Sequence, residues 1–371
     1  MTALADWVTA EGLTGRSETE LLRGFCERCC DAGLPLARAL VIIDTLHPTW
    51  EGRGYRWRRE DNGQNPLLEF GRTDDGEAAA SWRRSPFHAL ETSGEQRMRR
   101  RLLPGEPAPG FAVLEEYRDE GCTDYLALLH RFGAGGSLGQ MTCAYASWIS
   151  DGPTGFSDAE ISALERLCPS LVLALKCGAL ARIAETLAEV YLGRDPGRQV
   201  LRGHIRRGVP ERINAVLWFS DLSGYTRITD TAPAEEIMPL LNDYAEAAIG
   251  AIHRAGGDVL KLMGDGTLAI FTAPDPAEAC RAALAAEADL RQRLKTLKAR
   301  RRAEGRPATT LYLGLHLGDV FYGNIGSDDR LDFTVVGAAV NAVSRVATLC
   351  RSVDRHLLVS EAFAAAAPAA E

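Results

Sequence analysis

Two carboxylates carry the first chemical signal. Asp221 stands where the apolar run Asn214 to Phe219 gives way to Ser220-Asp221-Leu222-Ser223-Gly224. Asp265 stands between Gly264 and Gly266, at the tip of a predicted hairpin. In a β-α-β-β unit, the end of the first strand and the tip of the next hairpin can lie side by side. Carboxylates held together repel unless a cation lies between them. Hard oxygen ligands suit Mg²⁺ or Mn²⁺. Two such ions can clamp both oxygens of an in-line phosphoryl displacement. Exposed amides at Ser223-Gly224 can cradle a triphosphate. Taken singly, an Asp in a hairpin is more often just a turn residue.

A second group lies downstream. Asn341 and Arg345 share one face of a predicted helix at i, i+4. An amide and a guanidinium projected together suit a ribose and a phosphate. Lys261 interrupts the apolar strand Val259 to Met263 and needs a partner or an edge. Thr334 offers a small hydroxyl on the strand before the Asn341 helix.

Elements must position these groups. Strands are predicted at Asn214 to Phe219, Asp258 to Met263, Thr267 to Phe271, Leu311 to Leu317, Asp332 to Val336 and Leu357 to Ser360. Helices are predicted over Ala234 to Arg254, closed by Gly256-Gly257, over Pro276 to about Glu304, and over Ala338 to Cys350. This order predicts an α+β, ferredoxin-like βαββαβ core, a sheet with helices on one face.

Three segments, in order, resemble the signatures of class III adenylyl/guanylyl cyclases. They are Phe219 to Thr226, Leu260 to Gly266, and Phe333 to Arg345. Gly314-Leu315-His316-Leu317-Gly318 and Gly323-Asn324-Ile325-Gly326 also resemble that family. The resemblance implies that Asp221, Leu222 and Asp265 hold two Mg²⁺ or Mn²⁺ ions. It implies that Gly224, Tyr225 and Thr226 bind substrate, and that Lys261 and Thr334 read the purine. Asn341 would orient the ribose and Arg345 would stabilise charge on the α-phosphate. The reaction implied is attack of the ribose 3′-oxygen of ATP on the α-phosphorus, giving cyclic AMP and pyrophosphate. A homodimer is also implied, because one chain carries both halves of a site built between two domains. Lysine can donate to adenine N1 but matches the guanine N1–H poorly, which favours ATP over GTP. Lysine with threonine resembles the pair of a bicarbonate-responsive subgroup. The rival readings are a guanylate cyclase and a catalytically silent dimeric nucleotide-binding module.

The sequence departs from the family pattern at two places. Asp319 falls where some members carry a phosphate-contacting arginine. Family domains also continue through further strands, with another phosphate-contacting lysine, whereas this sequence stops at Glu371.

The N-terminal half gives weaker signals. Glu18 to Asp31 is predicted as a helix, and Arg38 to Thr45 as a buried strand. Asp124 to Phe132 and Gln140 to Trp148 are predicted as neighbouring antiparallel strands. The stretch from His47 to Gly110 reads as turn-rich. From Ser157, with Glu160 completing a capping box, a helical pattern runs to Leu192, with a kink or break expected at Pro169. These elements loosely resemble a GAF-like α/β sensor domain with an unknown ligand or input signal. The expected organisation is 1–156 sensor, 157–211 helical linker and 212–371 catalytic domain. Trp50, Trp57, Trp82 and Trp148 read as core more readily than as a ligand pocket. Arg97, Arg99, Arg100 and Arg101 read as a solvated face or loop. Cys26, Cys29 and Cys30 read as buried structural thiols.

A net charge of −8 gives no global attraction to nucleic acid. Asp6 and Glu11 interrupt any signal peptide, and Lys176, Arg182, Glu185 and Glu189 argue against a membrane span through Ser170 to Leu192. Nine scattered cysteines, an odd number, favour reduced thiols and a cytoplasmic protein.

Overall fold

The computed structural model describes residues 2–61, 67–72, 76–133, 135, 137–139, 141–208 and 210–367. They divide into two units, Met1–Thr186 and Leu187–Glu371.

The first unit runs α1 (Thr2–Leu13), α2 (Glu18–Asp31), β1 (Leu36–Asp44), β2 (Trp50–Arg58), β3 (Leu67–Gly71), α3 (Gly76–Arg83), α4 (Pro86–Ser93), β4 (Arg97–Arg101), α5 (Ala112–Asp119), β5 (Asp124–Arg131) and β6 (Cys143–Ser150). The long α6 (Asp158–Leu192) follows. The strands form one antiparallel sheet in the order β3-β2-β1-β6-β5-β4. Strand alternation sends Ala39, Val41 and Ile43 to one face and Leu40 and Ile42 to the other. On the first face, Phe25 of α2 packs on Trp148 with ring centroids 5.4 Å apart, and Cys168 of α6 meets His130 at 3.2 Å. On the second, Phe87 of α4 packs on Tyr145 at 5.3 Å, and Leu114 of α5 joins the same core.

Several expectations change here. The turn-rich stretch 47–110 contains three strands and two helices; its glycines and arginines mask a strand that uses one face for apolar packing. The Arg97 cluster is the edge strand β4, not a loop, with Arg97, Arg100 and Arg101 exposed as a solvated face would be. Its Arg99 is fixed by the fully buried Asp124, which also accepts from the Phe156 amide at 3.0 Å. Pro169 does not break α6, which is continuous. Ser157 and Glu160 form the expected capping box: Ser157 N donates to Glu160 Oε2 at 2.7 Å, and Glu160 N to Ser157 Oγ at 3.3 Å. Trp148 and Trp57 are core residues, as are Cys26 and Cys29, while Cys30 is half-buried. By length and composition α6 alone among the described residues could cross a membrane. Its residues Ile161, Leu164, Cys168, Leu171 and Leu175 are buried in the protein.

The second unit contains α7 (Arg194–Leu201), β7 (Glu211–Leu222), α8 (Tyr225–Thr231), α9 (Ala234–Arg254), β8 (Asp258–Met263), β9 (Gly266–Phe271) and α10 (Pro276–Ala303). It continues through β10 (Leu311–Gly326), β11 (Leu331–Val336), α11 (Ala338–Val353), β12 (Leu357–Val359) and α12 (Glu361–Ala366). The sheet order is β11-β10-β7-β9-β8, with β12 parallel to β10. Strands β10-β7-β9-β8 have the order of a ferredoxin-like βαββαβ unit. Helices cover both faces, not one. Val216 and Trp218 pack with α9 and α10, whereas Ala215 and Leu217 pack with Ala339 and Val343 of α11. Burial on both sides explains why β7 is continuously apolar from Ala215 to Trp218 instead of alternating.

A buried cation ties α9 to α10. Arg301 is fully buried; it donates to Glu236 Oε2 at 3.1 Å and to the Pro307 carbonyl at 2.6 Å, and pairs with Asp243.

Candidate active site

Strand pairing brings the two carboxylates together. β7 and β9 align Ser220 with Thr267, which sets Asp221 beside Gly266. A Cβ at Gly266 would lie 3.2 Å from the Ser220 carbonyl oxygen and 3.8 Å from Asp221 Oδ1, so a side chain there would crowd the carboxylate. Asp265, at the β8–β9 tip, accepts the Leu222 backbone amide on Oδ2 at 3.3 Å. Burial, then the hydrogen bond and negative charge of Asp221, push the Asp265 carboxyl up to about 6. Carboxylates held this close favour positive charge beside them. Among the described residues no three or more His, Cys, Asp or Glu side chains are placed to hold a metal ion by themselves. Two carboxylates with the Leu222 carbonyl suit Mg²⁺ or Mn²⁺, which take further oxygens from substrate phosphates and water.

A residue that sequence reasoning missed attends this pair. Arg351, near the end of α11, forms an ion pair with Asp221. Its guanidinium lies 5.9 Å from the Tyr312 ring centroid, and Tyr312 is the cross-strand neighbour of Asp221. Nothing in the local sequence signals this, since the contact spans 130 positions.

The turn after Asp221 is only partly as expected. Gly224 adopts φ 69°, the left-handed region that favours glycine, and Tyr225 and Thr226 open α8. The Ser223 amide, however, donates to the Thr310 carbonyl at 2.8 Å and so is not free for phosphate.

Lys261 lies on β8, an edge strand, half-exposed and ion-paired with Asp332 of β11. Thr334 is two residues further along β11 and therefore shares the Asp332 face. An open cavity of about 820 Å³ borders this place, lined by Lys261, Asp332, Phe333, Ile249, His253 and the final turn of α6. Asp332 was absent from the sequence-predicted set, although the i, i+2 spacing to Thr334 on a strand is the signal for it.

Asn341 and Arg345 are both exposed on α11 and have no hydrogen-bond or ion-pair partner among the described residues. Their helix crosses β10 at two glycines. A Cβ at Gly314 would lie 2.7 Å from Ala347 N, and one at Gly318 would lie 2.9 Å from Ala339 Cβ. Gly318 is opposite Ala215 of β7, while Tyr312 is opposite Asp221. The first turn of α11 therefore sits over the end of β7 remote from Asp221, roughly 20 Å away at about 3.3 Å per strand residue. Asn341 and Arg351 are likewise separated by about 15 Å along the helix axis. Within one chain the fold unites Asp221 with Asp265, Lys261 with the Thr334 face, and Asn341 with Arg345. Along the helix axis Asn341 lies about 15 Å and Arg345 about 9 Å from Arg351, the residue of α11 that reaches Asp221.

Asp319 does not stand as a bare negative charge. It accepts from Arg212 Nη2 at 2.6 Å and Asn214 Nδ2 at 2.8 Å, and both hold its carboxyl below the usual range.

Comparison with known proteins agrees with these features. The family described as "Adenylate and Guanylate cyclase catalytic domain" matches residues 210–366. An uncharacterized protein of Mycobacterium tuberculosis is 32% identical over 213 residues, 55% of this chain and 36% of that one. That stretch is longer than the family segment, so it takes in residues before position 210. An adenylate cyclase of Anabaena cylindrica is 30% identical over 158 residues, 43% of this chain and 32% of that one. The crystal structure of the guanylyl cyclase Cya2 is 28% identical, over 43% of this chain and 81% of that one, with a TM-score of 0.40. The chain spans about a third of the length of the curated relatives it matches. With the three motif segments inside the matched region and its two aspartates adjacent in space, residues 210–366 belong to the adenylate and guanylate cyclase catalytic domain family.

Proposed function

We propose that the chain is an adenylate cyclase, converting ATP to 3′,5′-cyclic AMP and pyrophosphate in a homodimer. The juxtaposition of Asp221 and Asp265 carries this reading, because it serves a polyphosphate substrate better than it serves stability. Asp221, Asp265 and the Leu222 carbonyl would hold two Mg²⁺ or Mn²⁺ ions. Bound there, such ions supply positive charge to the attacking and leaving oxygens. Gly224, Tyr225 and Thr226 line the substrate phosphates. Lys261 donates to adenine N1, with Thr334 and Asp332 of β11 as acceptors for the amino group. Asn341 orients the ribose and Arg345 faces the α-phosphate, where charge grows in the transition state. Their distance from the carboxylates in one chain supports a site shared between two chains, each supplying one half.

Residues 1–156 are proposed as a GAF-like sensor and 157–211 as the linker, since α6 leaves the first unit and ends beside the Lys261 cavity. Free cysteines throughout the described chain favour a reducing, cytoplasmic setting.

The test is to incubate purified protein with Mn²⁺ and either ATP or GTP and to separate the products. Cyclic AMP as the main product is expected. Cyclic GMP as the main product would replace the ATP assignment with a guanylate cyclase, and no cyclic nucleotide with either substrate would favour a silent nucleotide-binding module.

A further inference from the structure

The sheet of the first unit carries a set of arginines that the catalytic reading does not use. β1 and β2 pair Arg38 with Arg58 and Leu40 with Arg56. Cross-strand partners point to the same face, so three guanidiniums share the face that also carries α4 and α5. Like charges directly opposite one another destabilise a sheet, and natural sheets place opposite charges or apolar groups there. Arg38 has a partner in Glu120, at the end of α5. Arg56 and Arg58 make no hydrogen bond or ion pair among the described residues, and the Nε atom of each is shut away from solvent.

Tyr117 of α5 marks the same place. The Arg38 guanidinium lies 5.3 Å from its ring centroid. Burial pushes the Tyr117 hydroxyl up, and the charges of Arg38 and then Arg58 pull against it, so both reach it. Two guanidiniums on this face thus have no partner among the described residues, a third is answered by a half-exposed carboxylate, and an aromatic ring stands beside it. Guanidiniums grip phosphate and carboxylate groups with paired, parallel donors.

We propose that this face of the N-terminal unit is a binding site for a small organic or inorganic oxyanion, held by Arg56 and Arg58 with Arg38 and Tyr117 at its rim. The anion would take the outer Nη donors of Arg56 and Arg58 and relieve the Arg38–Arg58 repulsion. Glu120 competes with it for Arg38. Phosphate and carboxylate ligands share this chemistry, and separate titrations distinguish them.

The experiment uses the full chain carrying Arg345→Ala, which removes the exposed arginine of the catalytic domain as a rival site. Calorimetric titration with inorganic phosphate and, separately, with citrate is expected to show one saturable site per chain for at least one probe. Arg58→Gln and Arg56→Gln should each weaken it by about tenfold or more, the loss expected for charge-assisted hydrogen bonds. Glu120→Gln, an exposed change that does not threaten folding, should tighten it. No saturable binding of either probe overturns the proposal. So does binding that is indifferent to Arg56→Gln and Arg58→Gln, or, if those variants do not fold, indifferent to Glu120→Gln.

Discussion

Leu222 donates its backbone amide to Asp265, and that bond holds the hairpin tip against the end of β7, where Asp221 already stands. The fold thus maintains two acidic groups in contact at a cost. Asp265→Asn removes the repulsion, so the metal-free protein should melt at a higher temperature than the parent, by a few degrees at about 2–4 °C per kcal/mol for a domain of this size. The same variant should lose Mn²⁺-dependent cyclase activity by about 100-fold or more, since charge stabilisation at the phosphates is lost. Calorimetric melting and a cyclic nucleotide assay on one sample check both halves. A lower melting temperature with full activity would show that Asp265 is only a turn residue.

The separation of Asn341 and Arg345 from Asp221 within a chain leads to a mixing experiment. Asp221→Ala and Arg345→Ala should each be inactive alone. Mixed, they should regain activity, because a heterodimer contains one site with both halves intact. Partial recovery, about a quarter of the parent rate for random pairing of equal halves, is the expected outcome. Confirmed heterodimers without activity would exclude the shared site.

Lys261 is half-exposed and on a sheet edge, so its loss should affect substrate rather than folding. Lys261→Ala should raise KM for ATP by about tenfold or more, the penalty for an unanswered hydrogen bond at a base-reading group. Its circular dichroism spectrum should be unchanged. Asp332→Asn frees the lysine from its partner and should alter the ATP-to-GTP preference, measured as the ratio of kcat/KM values. An unaltered ratio in both variants would remove Lys261 and Asp332 from base recognition.

Arg301 is a structural cation. Arg301→Met removes a fully buried cation, but Arg300 still pairs with Asp243 at 2.9 Å and Arg306 with Glu236 at 2.8 Å, so the loss should be that of charged hydrogen bonds alone, about 1.5–3 kcal/mol. The unfolding midpoint of the catalytic unit in urea should fall accordingly. A shift within about 0.5 kcal/mol, the ordinary range for a surface change, would show that water reaches the two carboxylates.

Asp44 sets a pH dependence in the first unit. Burial, then the negative charge of Glu91, pushes its carboxyl up to about 7, against hydrogen bonds from the Thr142 backbone and the Cys143 thiol. The unfolded chain ionises near 4 and the folded chain near 7. Between those values the unfolded state binds fewer protons, so the contribution of Asp44 to stability is fully present below about 4 and is lost as pH rises through about 7. Asp44→Asn should be more stable than the parent at pH 8 and should lose this part of the slope. Denaturant unfolding from pH 5 to 8 tests it, and identical slopes in parent and variant would show that Asp44 ionises freely in the fold.

The ends of α2 and α9, the β8–β9 hairpin, and the capping box of Ser157 and Glu160 were legible in the sequence, because caps, glycine turns and apolar periods act over a few residues. The candidate site residues were picked out as a set of types at family spacings, and of these the fold brings Asp221 and Asp265 together. Less legible was the N-terminal sheet between positions 47 and 110, where strands β2 and β4 intersperse arginines and glycines among few apolar residues, so no clean apolar alternation shows.

By itself the sequence determined which chemical groups this protein possesses and which short segments present them, since those are properties of neighbours along the chain. Only the tertiary structure decided that Asp221 meets Asp265 and Arg351, that Lys261 meets Asp332, and that Asn341 and Arg345 lie away from the carboxylates. The physical reason is that these relations follow from strand register and from the crossing of α11 over Gly314 and Gly318, where packing between distant segments, not local propensity, sets the distances.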